Sequence, residues 1–186
     1  NQEQSQGLKK FLDHGGVLYL LPILNPDGYS RDQRHNLNGK DLNRDFDLIP
    51  ERVRNFTQPE TRTLVQYLEH DITANQLNLK LTMDYHCCIG ALLYPWSYTS
   101  SEIPAEDLAK HRKIGEIMQS HLKGYPHGTT KDILGYYARG TSKDYYYAQF
   151  GALAFTFEGA RGREDKKFPE HTQMWDEIFT HLVDTN

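Results

Sequence analysis

The chain has almost no cysteine: two residues among 186, Cys87 and Cys88, side by side. A fold stapled by a disulfide framework is thereby excluded. Neighbouring cysteines seldom bridge each other, because the ring strains the peptide between them. The pair is expected as buried thiols rather than as a bridge or as metal ligands. Long apolar runs are missing too, and none approaches the roughly 20 residues that a membrane-spanning helix needs. Positive charge is not in excess either. With a net charge of −4 and 25% charged residues, the sequence offers no basic stripe to nucleic acid. Repeats and low-complexity linkers are absent, and the polar opening Asn1-Gln2-Glu3-Gln4 carries no signal-peptide pattern. The length suits one ordinary core, read as a single domain over 1–186.

What is present alternates between helix and strand patterns. Gly7 to His14 has Leu8, Phe11 and Leu12 on one helical face, and Gly15-Gly16 stops it. Val17-Leu18-Tyr19-Leu20-Leu21-Pro22-Ile23-Leu24 is apolar without alternation, which predicts a central strand covered on both faces. Asn25-Pro26-Asp27-Gly28 ends it as a turn. From Tyr29 to Phe56 the chain is polar, a length of loop that usually carries function. Thr57-Gln58-Pro59-Glu60 predicts a helix start, with Thr57 as cap and Glu60 closing a capping box. That helix runs to about Asn75.

Leu79 to Tyr85 reads as a strand closing on His86, and Ala91 to Tyr94 as a short apolar piece ended by Pro95. Pro104 opens a helix to about Leu122, and 124–135 reads as loop. Thr141-Ser142-Lys143-Asp144 caps a short aromatic helix, Tyr145 to Phe150. Ala152 to Phe157 is a buried strand terminating in Glu158, and a last helix covers about Glu170 to Val183. Strands alternating with helices give an α/β three-layer sandwich with a mainly parallel, mixed central sheet.

Three places carry chemistry. His86, at the carboxyl end of its strand, stands on the edge where open α/β sheets bind ligands, and imidazole is the commonest protein ligand for zinc. The other reading is a hydrogen-bonded histidine at a strand end. Glu158 ends an apolar strand, where a carboxylate needs a partner or a task. It is either a salt bridge to Arg161 or Arg163 or a general base for a water at a metal. Arg34 to Phe46 gathers guanidinium and amide donors, Arg44 beside Asn43 above all, suited to planar recognition of a carboxylate. Composition alone also allows a solvated loop with Asx turns. Twelve tyrosines would line a polar cleft or simply pack.

In order, these residues form a pattern: Asn25-Pro26-Asp27-Gly28-Tyr29; Arg34-x-Asn36-x-x-Gly39-x-Asp41-Leu42-Asn43-Arg44-Asp45-Phe46; His86; Tyr94-Pro95-Trp96; Tyr136-x-x-x-Gly140-x-Ser142-x-Asp144-Tyr145; Phe155-Thr156-Phe157-Glu158. The pattern resembles the zinc metallocarboxypeptidases of the carboxypeptidase A type, the M14 peptidase family. The resemblance implies zinc as cofactor, peptides with a free C-terminal carboxylate as substrates, and hydrolysis by a metal-activated water. It makes His86 the third zinc ligand and Glu158 the general base. Arg34 would polarise the scissile carbonyl, and Asn43 and Arg44 would hold the terminal carboxylate. Tyr136 would close over the substrate, with Tyr137 one residue away in the alignment. Asp41 would orient a zinc-bound histidine.

Two departures stand out. The family draws its first two zinc ligands from a His-x-x-Glu motif ahead of the strand that ends in Asn-Pro-Asp-Gly. Asn1 to Leu24 contains none, and its only histidine, His14, precedes Gly15-Gly16-Val17. The expectation is the C-terminal portion of a longer enzyme, the alternative a non-catalytic relative that binds carboxylates or peptides. The second departure is Lys143, where the family places the floor of the pocket for the terminal side chain. A lysine there would favour an acidic terminus, and a solvent-facing lysine in the first helical turn is the other reading. Relatives that cleave cell-wall peptides at D-Glu–diaminopimelate bonds are a further alternative for the substrate.

Overall fold

The apolar residues on both sides of His86 belong to one strand. In the computed structural model, which describes residues 5–46, 56–160 and 168–185, strand β1 runs Leu81–Tyr94 without ending at His86. It pairs in parallel with β3 (Leu153–Ala160) from Leu81 opposite Leu153 to Cys88 opposite Ala160. Glu158 likewise lies inside its strand rather than at the end. The ladder continues past both residues because small residues, Gly159 and Ala160, extend β3 beside Cys87 and Cys88. Gly90, at φ +79°, then carries β1 past Ala160. A Cβ on Gly90 would sit 3.2 Å from that of Ala160.

Beyond this point the partner numbers fall as β1 advances. Ala91 lies opposite Glu158, Leu92 opposite Phe157 and Leu93 opposite Thr156, across a run of register shifts. The β1–β3 pairing as a whole is parallel. Strand β2 (His127–Thr129) adds a parallel neighbour to Leu92–Tyr94.

Helices cover both faces, as a sheet with two apolar sides requires. On one side α4 (Ala105–His121) and α7 (Phe168–Asp184) bury Ile114, Met118, Met174 and Ile178 against Leu92, Phe155 and Phe157. On the other, α3 (Pro59–Ala74) and α6 (Ser142–Phe150) bury Val65, Leu68, Tyr145 and Tyr146 against Phe46 and Ala154. Each such side chain contributes about 1.5–3 kcal/mol through burial. The segment expected as loop, 124–135, holds β2 and a short helix, α5 (Thr130–Leu134), capped by Thr129 and stopped by Gly135 at φ +78°. Among the described residues no helix is long and apolar enough to cross a membrane.

The N-terminal part departs furthest from expectation. Helix α1 (Gln6–Asp13) forms as read, capped by Ser5, and seats Gly7 against the Asp176 carbonyl of α7. The apolar run Val17–Leu24 forms no strand. A central strand needs ladder partners on both edges, and no described segment pairs with it. Tyr19 turns inward, its hydroxyl bonded to Asp71 and its ring 6.4 Å from that of Tyr67, while Leu20 remains 78% exposed. Asn25 caps a one-turn helix, α2 (Pro26–Ser30), where a plain turn was expected.

The start of α3 also differs: its N-cap residue is Gln58, with no side-chain cap, and Thr57 and Gln58 donate their amides to Asp45 at 3.0 and 2.9 Å. Glu60 faces Asn36 rather than closing a capping box. Asp45 is buried and also accepts the hydroxyls of Thr57 and Thr61, so a charged acceptor with several donors anchors the entry to the helix.

Candidate active site

The β1–β3 register sets His86 directly opposite Glu158. Alternation along β1 puts Asp84 on the same face as His86 and turns Tyr85 to the other. His86 is half-buried, and burial, reinforced by the cationic field of Arg34 and Lys143, pushes its pKa down to about 4. Its ring is therefore neutral near pH 7, the form that ligates a metal. Glu158 is 9% exposed, and its Oε2 is buried with no hydrogen-bond partner among the described residues. Burial raises its pKa, against the opposing pull of Arg34 and Lys143. Arg161 and Arg163, the salt-bridge partners considered for it, lie outside the described residues.

The polar loop delivers the third side chain. A 3₁₀ turn, Leu42–Arg44, is capped by Asp41, whose Oδ1 accepts the Asn43 amide at 3.0 Å. The Asn43 side-chain carbonyl accepts the Ser142 amide, also at 3.0 Å, so its Nδ2 donor faces His86 Nε2 at 3.3 Å. Asp41 Oδ2 accepts from Arg34 Nε at 2.7 Å, which ties Arg34 to the same turn. Arg44 is exposed and donates to the Asn43 carbonyl at 2.7 Å. Gly140 packs on Arg44 so closely that a Cβ would fall 2.4 Å from its carbonyl oxygen. Its φ of +71° is one that glycine adopts freely.

Lys143 is not solvent-facing: it is 2% exposed, with Nζ donating to Ser97 Oγ and, at 3.0 Å, to Thr130 Oγ1. Burial pushes its pKa down to about 8, opposed by Asp144 and Asp84. Asp144 accepts the Ser97 amide at 2.9 Å, and Asp84 accepts the Ser142 hydroxyl. Burial raises the Asp84 pKa to about 6, opposed by Lys143. The sequence reading missed Asp84, Ser97 and Asp144 as partners of this lysine. A signal existed for Asp84: a carboxylate two residues before His86 in a strand shares its face.

Tyr136 is 49% exposed between α5 and α6, and the structure gives it no hydrogen bond to His86, Glu158 or Asn43. Tyr137 lies beside Lys131, 5.4 Å from Nζ to the ring centre. Cys87 and Cys88 depart from expectation, being exposed and joined in a disulfide across a cis peptide. They lie opposite Gly159 and Ala160, where β3 ends and little covers them. His111 provides a contrast. It is fully buried, with Nδ1 on the Asp107 carbonyl and Nε2 accepting the Ala154 amide, and so is a satisfied core histidine.

Among the described residues no three His, Cys, Asp or Glu side chains gather as a metal cage. A neutral imidazole opposite a buried carboxylate that has no partner among the described residues nevertheless fits one corner of a catalytic zinc centre, which ordinarily takes three protein ligands.

A sheet between two helical layers, with histidine and glutamate facing across adjacent strands, defines an α/β sandwich domain with its candidate site on the sheet. The family model for zinc carboxypeptidases, Peptidase M14, matches residues 2–178, and the chain belongs to that family. It is 25% identical over 187 residues to carboxypeptidase A6 of Mus musculus, covering 81% of this chain and 40% of the relative. To carboxypeptidase SOL1 of Arabidopsis thaliana it is 28% identical over 180 residues, covering 86% and 34%. The chain thus spans less than half the length of these relatives. A crystal structure of thrombin-activatable fibrinolysis inhibitor superposes with a TM-score of 0.71 at 21% identity, covering 97% of this chain and 57% of that one. Murein-tripeptide amidase from Escherichia coli O157 superposes at 0.54 and 20% identity, covering 84% and 65%. Both likenesses show the fold.

Proposed function

We propose that the chain is the C-terminal portion of a zinc carboxypeptidase catalytic domain and hydrolyses the last peptide bond of peptides with a free C-terminal carboxylate. The observation that carries this is Glu158 opposite His86, its Oε2 buried and without a hydrogen-bond partner among the described residues. His86 would hold zinc, which when bound supplies Lewis acidity that eases deprotonation of water and polarises the carbonyl. Glu158 takes the proton from the attacking water and delivers it to the leaving amine. Arg34, fixed by Asp41, faces the oxygen on which negative charge develops. Arg44 and Asn43 bind the terminal carboxylate, and Tyr136, half exposed on its loop, closes over the bound residue. Lys143, buried with its charge only partly offset, selects an acidic terminal side chain.

The test measures zinc content and residue release together, in the polypeptide encoded by the complete reading frame. Stoichiometric zinc, lost in His86→Ala, with release of single C-terminal residues supports the reading. Peptide binding without zinc would support a non-catalytic relative instead. Cleavage of a muropeptide but not of plain peptides would move the substrate to cell-wall peptides, the class named for the murein-tripeptide amidase of like fold. For Lys143 the comparison is kcat/KM on peptides ending in Glu and in Leu, and equal values or a preference for Leu would exclude the acidic preference.

A further inference from the structure

The half-cystines that follow His86 are the only cysteines of the chain, and they are joined to each other. Both are exposed. They fill the last positions of β1 that pair with β3 before the register breaks between Cys88 and Ile89. A structural disulfide stabilises chiefly by closing a long loop in the unfolded chain. A bridge between neighbours closes no such loop, so holding the fold together is not its main effect. Its effect is local: it ties the two backbone units between His86 and the Gly90 passage around Ala160.

We propose that Cys87–Cys88 is a redox site, holding the backbone beside His86 in its oxidised form and releasing it when reduced by a dithiol. The step is thiol–disulfide exchange. A thiolate of the dithiol attacks one cysteine sulfur, the S–S bond breaks, and the other cysteine leaves as thiolate. The second thiol of the dithiol then displaces the first cysteine. The products are a cyclic disulfide of the reductant and two cysteine thiols, each protonated from the thiols consumed. Two electrons pass from dithiol to protein and no other reactant is needed. Exposure of both cysteines admits the reductant. Only the consequence for catalysis rests on the peptidase reading; the redox chemistry does not.

The experiment combines alkylation by iodoacetamide, read by intact mass, with amide hydrogen exchange across Leu81–Tyr94, both before and after dithiothreitol. The expected result is no adduct before reduction and two after it. Exchange at His86 to Ala91 should also be several-fold faster in the reduced protein. The double variant Cys87→Ser/Cys88→Ser should exchange at the faster rate with or without dithiothreitol, and if it does not fold the wild-type comparison decides alone. Two adducts without reductant, or exchange indifferent to reduction, would overturn the proposal. Neither readout involves zinc or hydrolysis, so failure here is distinguishable from failure of the peptidase reading.

Discussion

His86 and Glu158 are register partners on parallel strands, so the candidate metal ligand and the candidate base are set by backbone hydrogen bonding, not by loops. Sites built on strands hold their geometry more firmly than sites on loops. The Asn43 side chain reaches His86 from the polar loop and is itself fixed by Ser142. The arrangement brings three chain segments together at one point.

Glu158→Gln separates the two roles a buried carboxylate can have. Burial raises the Glu158 pKa, so its ionised form opposes folding at neutral pH. The amide keeps the shape without the charge. The variant should be at least as stable to urea as the parent. Hydrolysis should fall about a hundred- to ten-thousandfold, the usual range for a lost general base. A marked loss of stability would instead identify Glu158 as an ion-pair partner.

Asn43→Ala removes the amide that links His86 to Ser142, leaving the Ser142 amide without its acceptor. An unsatisfied group of this kind costs about 1–3 kcal/mol. Urea denaturation should show that loss. The His86 ring signals in NMR should also move, which a distant structural defect would not produce.

The motif-bearing parts of the fold were legible because their signals are local. The last helix, expected over about Glu170 to Val183, forms as α7 with Met174, Ile178 and Leu182 buried at helical spacing, and the short aromatic helix forms as α6. His86 and Glu158 were legible as ionisable residues beside apolar runs, but their facing each other depends on strand register, which no local pattern encodes. The Asp45 anchor was hidden for a related reason, since it lies 12 and 13 residues before the amides of Thr57 and Gln58 that it accepts. Val17–Leu24 failed differently. Its pattern is that of a covered strand, yet pattern supplies no neighbour, and without one the backbone cannot form a ladder. The cysteine pair reversed an expectation drawn from average geometry.

Lys143 should give stability a specific pH dependence. Its folded pKa of about 8 lies below the ordinary 10.5, so between those values the unfolded chain binds more protons and stability rises with pH. Two and a half pH units correspond to at most about 3–4 kcal/mol. Asp84 acts lower on the scale. With a folded pKa of about 6 against 3.8, the native state holds the extra proton and stability falls as pH rises across that window. Urea midpoints of wild type and Lys143→Met from pH 7 to pH 11 would test the first part. Parallel curves would show that Lys143 does not titrate as stated.

Leu20→Lys tests the exposed apolar run. Leu20 is 78% exposed, so the substitution should change the unfolding free energy from urea denaturation by no more than about 0.5 kcal/mol. It should also lower self-association measured by light scattering, because an apolar segment lacking ladder partners invites pairing between chains. A loss of several kcal/mol would mean that the segment is a buried strand in solution.

Gly140→Ala reaches the loop proposed to bind the carboxylate through packing alone. At φ +71° a side chain is strained, and the new Cβ would meet the Arg44 carbonyl at 2.4 Å. Backbone strain of this kind costs about 1–3 kcal/mol. The clash must be relieved by moving residue 44 or the Gly140 loop. Because Phe46 donates its amide to the Gly140 carbonyl at 3.1 Å, the two segments shift together. Arg44 is displaced while His86 and Glu158, held by the β1–β3 ladder, stay in register. The expected kinetic signature is a raised KM for peptides with a free terminus and a kcat changed much less. Equal losses in kcat and in kcat/KM would mean instead that the 140 loop acts on the reacting centre itself.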